Sequence, residues 1–196
     1  MLSDAEKEGL GVAFNEATLL GAEVERHRQI AAITLSVLTL PPEGPSPDDP
    51  RLQLLLHGVR RVAASLRMGN WNDPEAPVQA FQLSELLAVV QSFGGCPIYG
   101  WEFFDIADEE LTKWHGKFSL DVQLSEAPAQ HSLSLFQEGG RDRHLDMCFW
   151  FQELEIRSAQ GNPVALEEVI DSGRRWWDAF YRNDPRTTGL GIIPLK

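Results

Sequence analysis

Asp142, His144, Asp146 and Cys148 stand at every second position and spell D-x-H-x-D-x-C. Carboxylate, imidazole and thiol are the groups that ligate zinc and other transition metals, and a strand would carry all four on one face. The spacing is not that of a metal motif, and a solvated polar face produces the same string. Asp142, His144 and Asp146 are the candidate ligands if a metal binds; the expectation is a solvated face, with no metal and no cofactor. A second set is acidic. Glu23, Glu102 and Asp105 could supply paired carboxylates for general acid–base work, which needs two groups in environments that push their pKa values apart. Only the aromatic neighbours of Glu102, Trp101 and Phe103, hint at burial, and a hydrogen-bonded structural Glu is the favoured reading over a catalytic one.

The histidines, at 27, 57, 115, 131 and 144, form no HxH, HExxH or HxxxH grouping. No serine sits in a G-x-S-x-G elbow, and neither G-x-G-x-x-G nor G-x-x-x-x-G-K-[ST] occurs, so an ordinary nucleotide-dependent enzyme is not indicated. Cys96 and Cys148 lack metal-ligand spacing and read as buried thiols. Among the aromatics, Trp71 lies in a polar loop beside Asn70, Asn72 and Asp73, where a Trp is either folded back as a plug or offered to a partner. In Arg174-Arg175-Trp176-Trp177 two adjacent tryptophans point about 100° apart on a helix. The expectation is that both are buried, with the arginine heads paired to Asp171 or Asp178.

These residues hang on a chain whose strongest signal is a strand over His144–Ser158. Leu145, Met147, Phe149 and Phe151 alternate with polar or intervening residues, and then the apolar positions slip to Leu154 and Ile156. A bulge at Gln152–Glu153 would absorb the extra residue and bend a long central strand. Ala17–Arg26 and Gln29–Leu40 read as an antiparallel hairpin. Proline-rich PPEGPSPDDP follows as a surface loop, and Arg51–Arg67 as a third strand or a bent strand pair with Gly58 as the kink. Ser84 is the expected N-cap of a short helix to Phe93, closed by Gly94–Gly95. Ile98–Ile106, Phe118–Leu124 and His131–Gln137 are further strands. Leu166–Tyr181 is a second helix, and Ile192, Ile193 and Leu195 are expected to pack back from the tail. Residues 1–14 read as a loose or weakly helical lead-in.

The fold expected from this pattern is one α+β domain over 1–196, β-rich, with a large antiparallel sheet or two joined sheets and two helices on one side. The halves run in parallel. Leu20-Gly21-Ala22-Glu23-Val24 resembles Tyr99-Gly100-Trp101-Glu102-Phe103, and Leu83–Leu87 resembles Leu166–Ile170, suggesting βββα-like pseudo-repeats over 15–95 and 96–182 about a pseudo-two-fold axis. On that reading Glu23 and Glu102 occupy equivalent positions, and both are expected to be buried.

A net charge of -12, from 29 acidic and 17 basic residues, repels phosphate backbones and excludes nucleic acid as a partner class. No run reaches the ~20 apolar residues of a membrane span, and the N-terminus has no cationic, apolar signal pattern, so a cytoplasmic protein without membrane contact is expected. Two functions fit. One is a non-enzymatic binding or regulatory protein of the bacterial accessory type, holding a protein partner on an acidic and aromatic surface that includes Trp71. The alternative is a small-molecule or hydrolytic site in a cleft between the halves, lined by Trp101, Glu102, Phe103 and Trp150.

Overall fold

The computed structural model describes residues 2–100, 102–106, 116–140 and 142–188. Within them, strands β1 (Thr18–Glu25), β2 (Ile30–Ser36), β3 (Arg51–His57), β4 (Arg61–Met68), β5 (Ile98–Tyr99), β6 (Leu120–Gln123), β7 (His131–Glu138), β8 (Arg143–Phe151) and β9 (Glu153–Ser158) build two antiparallel sheets. One sheet has the order β1-β2-β3-β9 and the other β5-β7-β8-β4-β6. Helices α1 (Asp4–Phe14), α2 (Leu86–Gln91) and α3 (Leu166–Tyr181) complete a strand-rich α+β fold.

The two sheets are joined by two strands that each change sheet. At Gly58, whose φ of +62° is costly for any residue with a Cβ, the chain passes from β3 in the first sheet to β4 in the second. At Gln152 it passes back, from β8 to β9. The two crossing segments pair with each other throughout: β3 with β9, β4 with β8, and between them Gln152 N–H donates to His57 O at 2.9 Å and Arg60 N–H to Trp150 O at 2.7 Å. The slip in alternation at Gln152 is therefore the point of exchange. Phe151 and Ile156 both reach the core, while Glu153 is exposed and Glu155 accepts from Arg157 at 2.7 Å and meets His57 Nε2 at 3.1 Å. β8 is an interior strand, but β9 lies at a sheet edge.

β1-β2-β3 is a meander whose continuation, β4, joins the other sheet; β7-β8 is a hairpin whose continuation, β9, returns to the first, and β6, between β5 and β7 in the chain, lies at the far edge beside β4. The starts of β1 and β5 also meet, with Leu19 N–H donating to Cys96 O at 3.4 Å and Ile98 N–H to Ala17 O at 2.8 Å. The motif carried by Glu23 and Glu102 does not keep step with this order. Glu23 sits within β1 opposite Ala32, whereas Glu102 lies beyond β5 and outside any strand.

Four further expectations are corrected. Among its described residues Ile98–Ile106 is a strand only at Ile98–Tyr99, because Gly100, at φ +150°, turns the chain out of the ladder, and Phe104 bridges back to Leu133. Residues 4–14 form a full helix whose N-cap Ser3 accepts from Glu6 N–H while Glu6 accepts from Ser3 N–H at 2.7 Å, a reciprocal cap. Ser84 is not an N-cap: a 3-10 turn over Leu83–Glu85 precedes α2, and Glu85 accepts from Gln82 N–H at 2.6 Å. The helices do not share one platform, since α1 packs on α3 and α2 on β1. Ile192, Ile193 and Leu195 lie outside the described residues.

One hydrophobic cluster runs through both sheets, taking Leu19, Ile33 and Leu54 from the first and Val62, Leu133 and Phe149 from the second. Burial of this apolar area is the main stabilising term, at about 25 cal/mol per Å². α1 and α3 cross at small residues. A Cβ on Gly9 would stand 2.6 Å from Ile170, and one on Gly173 would stand 2.7 Å from Ala13 Cα.

Candidate functional site

The loop between β4 and α2 is built to present Trp71. Its feet are closed by the Arg67–Val78 bridge and by Met68 N–H donating to Pro77 O at 2.8 Å. Gly69 N–H donates to Asp142 O at 2.6 Å, tying the loop to the start of β8. Inside it, Asp73 N–H donates to Asn70 O at 3.0 Å, Asp73 Oδ1 accepts from Glu75 N–H at 2.9 Å, and Pro74 O accepts from Lys117 Nζ at 2.9 Å. Ala76 is the buried anchor. On this frame Trp71 remains 56 % exposed, and Met68 and Val78 at the feet are exposed with it. The carboxylates of Asp73, Glu75 and Asp142 are exposed around them. A large indole held out on a hydrogen-bonded loop costs little side-chain ordering when a partner covers it.

Behind the loop lies the outer face of the second sheet, where the D-x-H-x-D-x-C residues fall. This face is not solvated, contrary to expectation. Asp142 is exposed at the turn, but His144 and Cys148 are both 0 % exposed, and Asp146 is half-buried in a salt bridge with Arg67 of the neighbouring β4. Burial pushes the Asp146 carboxyl up, and the Arg67 charge offsets this only in part. His144 Nδ1 meets Gly69 O at 3.3 Å, which assigns the proton to that nitrogen. Burial, and then the nearby Arg67 charge, hold the imidazole pKa below its ordinary value of 6.5, so the ring is neutral. His144 Nε2, Arg67 Nε and Ser65 Oγ are buried here without a hydrogen-bond partner. Ser134 Oγ donates to Cys148 Sγ at 3.4 Å. His144 and Cys148 stand four residues apart on one extended strand, roughly 13 Å, too far for both to reach the same ion as Asp146 at 2.0–2.3 Å ligand distances. Among the described residues no group of three or more His, Cys, Asp or Glu could hold a metal.

Of the residues expected to line a cleft, Glu102, Phe103 and Trp150 do not come together. Trp101 lies outside the described residues. Glu102 and Glu23 are both exposed, which corrects the expectation of burial. In β1 an irregularity between Leu19 and Gly21 resets the alternation so that Ala22 faces the core and Glu23 the solvent; beyond Gly100 it is Phe103 that enters the core, edge-on to Phe14 at 6.4 Å. Trp150 belongs to the opposite face of the sheet, stacked under the Arg61 guanidinium at 4.7 Å.

Asp105, the third candidate carboxylate, has a partner that the pattern did not show. Its Oδ2 is 2.9 Å from His131 Nδ1, its Oδ1 accepts from Ser132 N–H at 2.8 Å, and Lys7 Nζ stands 3.3 Å away. Burial alone would raise this carboxyl, but the His131 and Ser132 hydrogen bonds hold it below the ordinary range. The pair resembles a catalytic His–carboxylate dyad in its first contact only. His131 Nε2 accepts from Leu2 N–H at 3.2 Å, so the nitrogen that would act as a base is occupied and the pair fastens the N-terminus to β7. Asp105 itself sits at φ +54°, a conformation uncommon outside Gly, Asn and Asp.

No family model, curated protein or solved structure matches the chain. Function rests on the geometry alone. In the Arg-Arg-Trp-Trp stretch, Trp176 is buried and stacked on Phe180 at 5.1 Å, and Trp177 is half-buried with Nε1 donating to Val12 O at 3.0 Å. Both rings pack inward as expected. The arginine pairing differs: Arg175 bonds Glu168 at 2.7 Å and Leu40 O at 2.9 Å. Met68, Val78, Arg67 and Ser65 were the residues missed. Polar residues at Arg61, Ser65 and Arg67, at odd positions of β4, were the signal for a second polar face.

Proposed function

We propose that the protein is a non-enzymatic binding protein whose Trp71 loop holds a basic segment of a protein partner. The observation that carries this reading is the 56 % exposure of Trp71 on a loop fixed at both feet. Exposed aromatics in such settings dominate binding energy, whereas a Trp with only a packing role is covered. Asp73, Glu75 and Asp142 around it, in the field of a chain with net charge -12, favour Lys and Arg on the partner. No helix among the described residues is long and apolar enough to cross a membrane.

Selection of peptides from a random library tests this. Recovered sequences should carry Lys or Arg beside apolar residues and should bind more weakly as salt rises. Trp71→Ala should cost about 2 kcal/mol or more of binding, the size of a hot-spot residue. Glu75→Lys should slow association. Peptides that are acidic, or that bind Trp71→Ala unchanged, would overturn the proposal.

A further inference from the structure

The core of the first sheet is open at one end, under the proline-rich loop. β2, β3 and β9 finish there, and the loop over residues 41–50 crosses from β2 to β3 above the first turns of α3. The loop is held at several points: Val37 N–H donates to Pro50 O at 3.1 Å, Leu40 N–H to Ser172 O at 3.2 Å, Ser46 Oγ to Arg186 O at 3.2 Å and Arg186 to Gly44 O at 3.2 Å. Prolines cannot donate from the backbone, and their rings keep the loop from collapsing onto the helix. What remains is a groove of about 250 Å³, with an apolar floor of Val37, Leu52, Val164 and Val169 under Pro45 and Pro47.

Three observations define what fits it. An apolar cavity of ~150 Å³ holds benzene, so the groove admits one substituted aromatic ring or an aliphatic molecule of similar size. Its charged lining residues are already matched, Asp49 to Arg51 at 2.6 Å and Glu168 to Arg175 at 2.7 Å, so a charged ligand would lose hydration without gaining a new ion pair. One buried polar atom of the lining is left without a partner. Ser158 lies beside Leu52 on the core side of β9, and its Oγ is buried without a hydrogen-bond partner.

We propose that this groove is a binding site for a small uncharged molecule, an aromatic or branched aliphatic body bearing one hydroxyl or amide that bonds Ser158 Oγ. The site is separate from the Trp71 loop and does not rest on the function proposed for it.

Benzyl alcohol, toluene, benzylamine and benzoate serve as probes, followed by amide chemical shifts of the full chain. Benzyl alcohol and toluene should move the resonances of Val37, Leu52, Val164 and Val169, and the two charged probes should bind at least tenfold more weakly. Ser158→Ala removes the hydroxyl from a half-buried position and leaves the groove, with a melting curve confirming the fold. It should weaken benzyl alcohol by roughly two- to tenfold, the range of one hydrogen bond, and leave toluene unchanged. Absence of shifts at these residues with either neutral probe would overturn the proposal. So would benzoate binding as well as benzyl alcohol, or equal binding of benzyl alcohol to Ser158→Ala and the parent chain.

Discussion

His144 shows how a residue with the chemistry of a ligand becomes a stability element once its surroundings are fixed. Its ring is buried and neutral with the proton on Nδ1, and its pKa lies below 6.5. The unfolded chain would take up a proton near the ordinary value, so between that value and the lower folded one the unfolded state binds more protons. The stability His144 contributes is therefore complete above about pH 6.5 and is lost as pH falls toward the folded pKa. Melting temperature followed from pH 7.5 to 5 should fall in this window, and His144→Gln should flatten the fall; a ring proton titrating at 6.5 or higher would contradict it. Glu102 illustrates the reverse. It was expected to be buried because of its aromatic neighbours, yet those neighbours decide only which side of the backbone is apolar. Being exposed, Glu102→Gln should change unfolding free energy by no more than about 0.5 kcal/mol in a denaturant titration. A loss of 2 kcal/mol would mean that the carboxylate has a buried partner.

Among the elements, the α1–α3 crossing makes the sharpest prediction. Glycine inside a helix is normally worse than alanine by about 1 kcal/mol, so Gly173→Ala would stabilise an isolated helix. Here the added carbon would meet Ala13 at 2.7–2.8 Å, on backbone that cannot step aside, and the sign should reverse. A loss of roughly 1–3 kcal/mol is expected by chemical denaturation, the size of an overpacked core, and an increase in stability would show that the helices can separate. This crossing also explains what the sequence concealed. Ser3 and Glu6 mark the start of α1, but the apolar stripe is thin, and Gly9 makes sense only against Ile170 of α3. Regular alternation made β7 and most of β8 legible, and helical spacing fixed α3 to the residue. Ile98–Ile106 reads as a strand because its aromatic content mimics one, whereas Gly100 takes the chain out of the ladder after Tyr99. The Trp71 loop was legible from its polar neighbours, while Met68 and Val78 required knowing where the loop closes.

At the scale of the whole molecule, the exchange of β4 and β9 between the sheets sets how the polypeptide must be made. Each sheet takes one strand from the other half of the chain, so residues 1–95 and 96–196 expressed separately should show no cooperative melting, and mixing them should restore it if they remain soluble. Independent cooperative unfolding of either fragment would refute this. On the ribosome the consequence is one of timing. β3 and β4 are synthesised well before their partners β9 and β8, and at ordinary elongation rates the interval is roughly 5–20 seconds. Throughout it the nascent chain carries unpaired strand edges rich in leucine and alanine, Leu52–Leu56 and Val62–Leu66, which invite pairing with a neighbouring chain. Slowing translation after codon 68 should therefore lower the yield of soluble protein, and a holdase chaperone bound over that interval should restore it.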